Sequence, residues 1–154
     1  IGYLLSGLLS QYCTAVFRPF SSEKDRCSFK AYMLATVRDL LQTYLDRFAS
    51  RWNQDAKKLY REQPGFRDGF LAGLLPDIAG YCAMPMFNTV LSDLGLAMAT
   101  EFATMKADEK AMGHAMELYF ALACKLLLGR HKIQSVDSLL QCILETERLY
   151  LIRI

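Results

Sequence analysis

The sequence predicts an all-α chain, folded as a single domain and a compact bundle of six or seven mostly antiparallel helices. Three observations carry this. No stretch alternates apolar and polar residues between turn signals, as half-buried strands do. Apolar residues recur instead at three- and four-residue steps over long windows. Pro19, Pro64 and Pro76 punctuate those windows, starting or ending helix-sized pieces.

The first helix is expected over residues 2–17, stopping before Pro19 because the residue ahead of a proline avoids the right-handed helical region. Ser22 followed by Asp25 is a weak capping box, from which a long helix runs to about Trp52. Met33, Val37, Leu40, Leu41, Tyr44, Phe48 and Trp52 form its apolar stripe, with Lys30, Arg38, Gln42 and Asp46 largely off it. Residues 53–63 read as two helical turns around Leu59 and Tyr60. Pro64-Gly65 begins the next helix, with Pro64 near its first position, and Pro76 closes it. A loop is expected over Asp77–Met84, punctuated by Gly80 and Pro85.

Helical character resumes at Met86 and lasts to Leu128. Two helices meeting near residue 107 are expected there, since an unbroken helix of that length is rare in a compact domain. Gly129 is expected to stop the second in the left-handed conformation, with Arg130, His131 and Lys132 beside the negative helix end. A last helix starts near Ser135 and buries Val136, Leu139, Leu140, Ile143 and Tyr150, with Glu147 interrupting that face.

Composition bounds the function. The chain has 154 residues, 53% hydrophobic and 22% charged, and its mean hydropathy is +0.12. Disorder needs the opposite balance. A chain this apolar has either a large core or a face buried against something else. Because it opens on Ile1 and ends on a run of apolar residues, it reads as a piece of a longer protein. The net charge of +2 is too small, and too evenly spread, to predict a nucleic-acid partner.

The five cysteines are Cys13, Cys27, Cys82, Cys124 and Cys142, none within four residues of another, which excludes zinc-ribbon and redox spacings. Reduced thiols point to an intracellular setting, cytoplasmic or nuclear. Residues 1–17 carry no charge but lack the basic start and cleavage pattern of a signal peptide, and residues 78–100 are broken by Pro85, Asn88, Ser92 and Gly95. A membrane span is therefore not expected.

No catalytic motif is found. Nucleotide loops, nucleophile elbows and zinc-protease motifs are missing, so no catalytic residue, cofactor or metal is assigned. His114 and His131 both lack the glutamate three residues earlier that a di-iron bundle requires, because Ala111 and Leu128 stand there. His114 shares a helix face with Lys110 and Glu117 and reads as solvated. An enzyme would need polar groups such as Asp77, Asp93, Glu101 and His114 to converge in space.

Two features are more informative. Gly65, Gly69 and Gly73 step by four along one helix face, and each costs about 1 kcal/mol against alanine, so a close helix approach is expected there. Met98, Met105, Met112, Tyr119 and Leu126 repeat every seven residues, with Met84, Met86 and Met116 nearby, as a helix seam or an adaptable apolar surface would. A third cluster, Arg47, Arg51, Lys57, Lys58 and Arg61 around Trp52 and Tyr60, is diluted by Asp46, Asp55 and Glu62 and reads as a solvated helix end.

The reading these features favour is a helical interaction or scaffolding module, docking a protein partner or a second copy through apolar faces that include Gly69 and Gly73. The rival is a regulatory domain holding a small apolar ligand among Met84, Met86, Phe87, Met98, Phe102 and Met105.

Overall fold

The computed structural model describes residues 1–91 and 109–154. These form six helices and no strand: α1 (Gly2–Phe17), α2 (Glu23–Asp55), α3 (Lys58–Arg61), α4 (Phe66–Leu91), α5 (Glu109–Leu128) and α6 (Val136–Arg153). A single 3-10 turn, Arg130–Lys132, links α5 to α6. The expected break near residue 107 lies outside the described residues.

The uncharged stretch at the start of the chain is the central helix. α1 packs on α2, α4 and α5, and its Leu5, Leu9, Tyr12 and Cys13 are fully enclosed. Full burial of a leucine contributes about 1.5–3 kcal/mol, which explains why α1 tolerates no charge on its inner face. Gly2 lets α1 meet α4 closely, because a Cβ there would lie 3.0 Å from the Tyr81 and Cys82 backbone. A Cβ on Gly80 would meet the Arg130 guanidinium at 3.3 Å, a side chain that can move aside. Cross-contacts give the directions. Lys30–Glu147 and Arg38–Asp137 run α2 antiparallel to α6, whereas Tyr12–Glu147 and Phe17–Tyr150 run α1 parallel to it.

α2 starts where the sequence expects. Ser22 accepts the Asp25 N–H at 3.2 Å, satisfying one of the free donors of the first turn. α6 starts with a reciprocal cap, in which the Ser135 hydroxyl takes the Ser138 N–H and the Ser138 hydroxyl takes the Ser135 N–H.

Four expectations are corrected. Pro76 does not close a helix and Asp77–Met84 is not a loop, because α4 continues through both Pro76 and Pro85. Each proline removes a hydrogen bond to the residue four earlier; Ala72 is exposed, whereas the Tyr81 backbone packs against Gly2 of α1. The cost, about 3 kcal/mol each, is outweighed by burial of Leu75, Ile78, Ala79, Cys82, Ala83 and Met86 on one side of the helix. Pro64 lies ahead of α4 rather than inside it, and Gly65 takes a φ of +74°, so it belongs to the turn. Gly129 is not left-handed (φ −96°, ψ 6°). It is required instead by closeness, since a Cβ would meet the Lys125 carbonyl oxygen at 2.8 Å. Residues 53–63 hold only the single turn α3, and α2 extends to Asp55.

α4 and α5 each contain a stretch long and apolar enough to cross a membrane, by length and composition alone. Both also pack on α1 and on each other.

Candidate functional site

The residues singled out by sequence do not converge. Met86 is fully enclosed, with the Cys82 Sγ 3.7 Å from its sulfur, whereas Met84, two positions earlier, is exposed. Phe87 is half-buried and meets the Phe120 ring edge-on at 5.4 Å. Met98, Phe102 and Met105 lie outside the described residues. Gly69 and Gly73 do not mediate a close approach within the described chain, since a Cβ on either would find nothing within 4 Å. Tyr119 and Leu126 of the seven-residue series are core residues.

One polar cluster lies inside the bundle and a second at its edge. Glu147, 7% exposed, accepts the Tyr12 hydroxyl and pairs with the Lys30 ammonium, joining α6 to α1 and α2. Burial, together with the Glu147 carboxylate, raises the Tyr12 hydroxyl far above its ordinary range, and burial raises the Cys13 thiol beside it. The cluster ties α1, α2 and α6 together through Tyr12, Lys30 and Glu147.

The second cluster corrects the reading of His114 as solvated. Its ring stacks on Phe17 at 5.6 Å, and its Nδ1 lies 2.9 Å from the Tyr150 hydroxyl. That hydroxyl donates to Glu117 at 2.5 Å, so Nδ1 must carry the proton it donates to Tyr150. Burial and the Glu117 carboxylate raise the Tyr150 hydroxyl well out of a general base's range. Among the described residues, no group of three His, Cys, Asp or Glu is placed to hold a metal ion.

Family models, curated proteins and solved structures give no match to this chain.

An open aromatic groove at the far end of α2 is the site with the most usable geometry. The Pro64-Gly65 turn reverses the chain, so α4 returns antiparallel along α2. Phe70 stacks on Phe48 (5.6 Å, 12° between planes), and Phe66 and Phe70 flank Trp52 at 6.1 and 5.5 Å. Tyr60 of α3 stacks on Phe66 at 5.1 Å. Tyr44, Phe48 and Trp52 line up because residues four apart share a helix face. With Tyr44, these rings wall a groove of about 660 Å³, a size that accommodates small ligands or a few side chains.

Arg47, Arg51 and Lys57 edge the groove, with Asp55 as its one acidic lining residue among the described residues. Asp55 pairs with Arg51 at 2.8 Å. Arg47 and Lys57 have no ion-pair partner among the described residues. The sequence predicts a solvated helix end for these cations. They are exposed, but they also frame an apolar recess. The signal that could have found it was the four-residue ladder of Tyr44, Phe48 and Trp52 continuing past the last core residue of the helix body, followed by Phe66 and Phe70 at the same spacing.

Proposed function

We propose that the chain is a helical interaction module that docks a segment of another protein in the groove between α2, α3 and α4. One observation carries this reading. Tyr60, Phe66 and Phe70 remain 42%, 39% and 44% exposed although they stack on rings that are already in place. A preformed apolar recess binds at low ordering cost, and aromatic residues concentrate at the centres of protein interfaces.

A segment of a different protein is the favoured occupant, because two of the chain's exposed apolar patches carry the wrong charge for the groove. The exposed apolar side chains at the end of α6 (Leu149, Leu151, Ile152) sit among Arg148 and Arg153, which would meet Arg47 and Lys57 with like charge. α1, which exposes Tyr3 and Leu4, carries no acidic residue. The five unpaired cysteines support an intracellular setting for this docking.

Trp52 is the only tryptophan, and it floors the groove. Titration of a blocked, uncharged peptide bearing Leu and Phe anchors should shift its fluorescence. Phe70→Ala should weaken that binding about tenfold, the loss of one well-packed anchor contact. An unchanged Trp52 spectrum at millimolar peptide, or a Phe70→Ala protein that binds equally well, would overturn the reading.

A further inference from the structure

We infer that the docked segment is acidic, with a carboxylate on each side of its apolar anchor. This rests on the docking groove proposed above and names the chemistry of its partner. The groove presents two cations without ion-pair partners, and they stand at opposite ends. Arg47 lies on α2, two turns before its end, and Lys57 caps α3 just beyond that end. α2 rises about 12 Å over the eight residues from Arg47 to Asp55, and two non-helical residues then lead to Lys57, so the cations stand on the order of 15 Å apart.

The acids nearby do not neutralise them. Asp46 accepts a hydrogen bond from Gln42 at 2.9 Å, Asp55 is paired with Arg51, and Glu62 lies beside Lys58 at 3.7 Å. Glu62 and Asp68 do not line the recess. The guanidinium of Arg61 is turned away, donating to the Asn53 carbonyl at 2.6 Å. The rings between the two cations are apolar and stacked on each other, so the groove reads as positive, apolar, positive. An extended chain advances about 3.3 Å per residue, so the complementary segment carries Asp or Glu four or five positions apart with a bulky apolar residue between them.

Basic residues beside aromatics also suit single-stranded nucleic acid. Here the rings stack on one another, Phe70 on Phe48 and Tyr60 on Phe66, so inserting a base would have to part an existing stack, whereas apolar side chains can rest on the exposed parts of the rings. An acidic polypeptide is the better fit.

The test compares three blocked twelve-residue peptides with one Leu-Phe anchor, flanked at that spacing by Glu, Gln or Lys, and a twelve-residue oligothymidylate, all read through Trp52. At low salt the Glu peptide should bind about five- to tenfold tighter than the Gln peptide, and the Lys peptide more weakly still. The gap should close by 0.5 M salt, where charges are screened over a few ångströms. The Arg47→Gln/Lys57→Gln protein should lose the preference for Glu over Gln, with its circular dichroism and thermal midpoint reporting an intact fold. Equal binding of the three peptides overturns the acidic inference while leaving the groove reading standing. Failure of all three peptides to shift Trp52 overturns both, and oligothymidylate binding tighter than the Glu peptide overturns the choice of a protein segment.

Discussion

Replacing Lys30 with methionine tests how the bundle tolerates charge in its interior. Lys30→Met keeps the apolar stem but leaves the Glu147 carboxylate enclosed, with the Tyr12 hydroxyl as its remaining partner among the described residues. Breaking a fully buried pair from one side costs about 3–5 kcal/mol, and an exposed pair is worth under about 1. The Lys30 and Glu147 side chains are 21% and 10% exposed, so water softens the penalty and about 2–4 kcal/mol is expected. That is a large share of a small domain's stability, and it should lower the urea midpoint by about 1–2 M. Glu147→Gln removes the charge while keeping an oxygen to accept the Tyr12 proton. The double variant Lys30→Met/Glu147→Gln should therefore lie within about 1 kcal/mol of the native protein. Urea unfolding of the four proteins, followed by circular dichroism, gives the coupling directly. A loss below 1 kcal/mol for Lys30→Met, with no recovery in the double variant, would refute the account and make the pair an ordinary surface contact.

The glycines should respond with opposite signs. Gly69→Ala and Gly73→Ala, in open space within a helix, should each stabilise by about 0.5–1 kcal/mol, whereas Gly2→Ala and Gly65→Ala should destabilise, all read by thermal melts. Thiol labelling at pH 8 should modify the exposed Cys27 first and leave Cys13 and Cys82 untouched until denaturant is added, because burial pushes the Cys82 thiol up to about 12 and raises Cys13 as well. Stability should also fall in alkali. Cys13, Cys82, Tyr12, Tyr119 and Tyr150 all hold their protons more tightly when folded, so their contribution is intact below pH 9. It is lost above pH 9 for the thiols and above pH 10 for the hydroxyls, at up to about 1.4 kcal/mol per group per pH unit. Unfolding between about pH 10 and 11 is the expected result, and a native near-ultraviolet spectrum at pH 11.5 would contradict it.

The helices were legible where periodicity and capping agreed. α1 and α6 were read with correct starts, and α2 differed by three residues at its end. Pro76 misled because local chemistry disfavours proline inside a helix, whereas seven buried positions on α4 decide the outcome, and partners distant in sequence supply that burial. Glu147 was visible as an intruder on an apolar face. Its partners Tyr12 and Lys30 lie 135 and 117 positions away, so no local pattern could name them. The groove was half-legible. Both halves of its ring ladder were present at four-residue spacing, but which face of α4 meets α2 is set by the Gly65 turn, and spacing alone does not show that reversal.

The two prolines within α4 also divide the cooperativity of the fold. Neither Pro76 nor Pro85 has an amide hydrogen, so the ladder that joins the groove arm, Phe66–Gly73, to the bundle lacks a rung just beyond it. The arm is anchored to α2 mainly through rings, and none of its residues belongs to the buried core cluster. Opening it breaks few bonds that the bundle depends on. Amides ahead of Pro76 then exchange with solvent at a free energy set by the aromatic stack, and those beyond it at a free energy approaching global unfolding. A segment docked as proposed would slow exchange in the first group and leave the second alone, so protection on one side of a single residue would separate the proposed recognition arm from its scaffold.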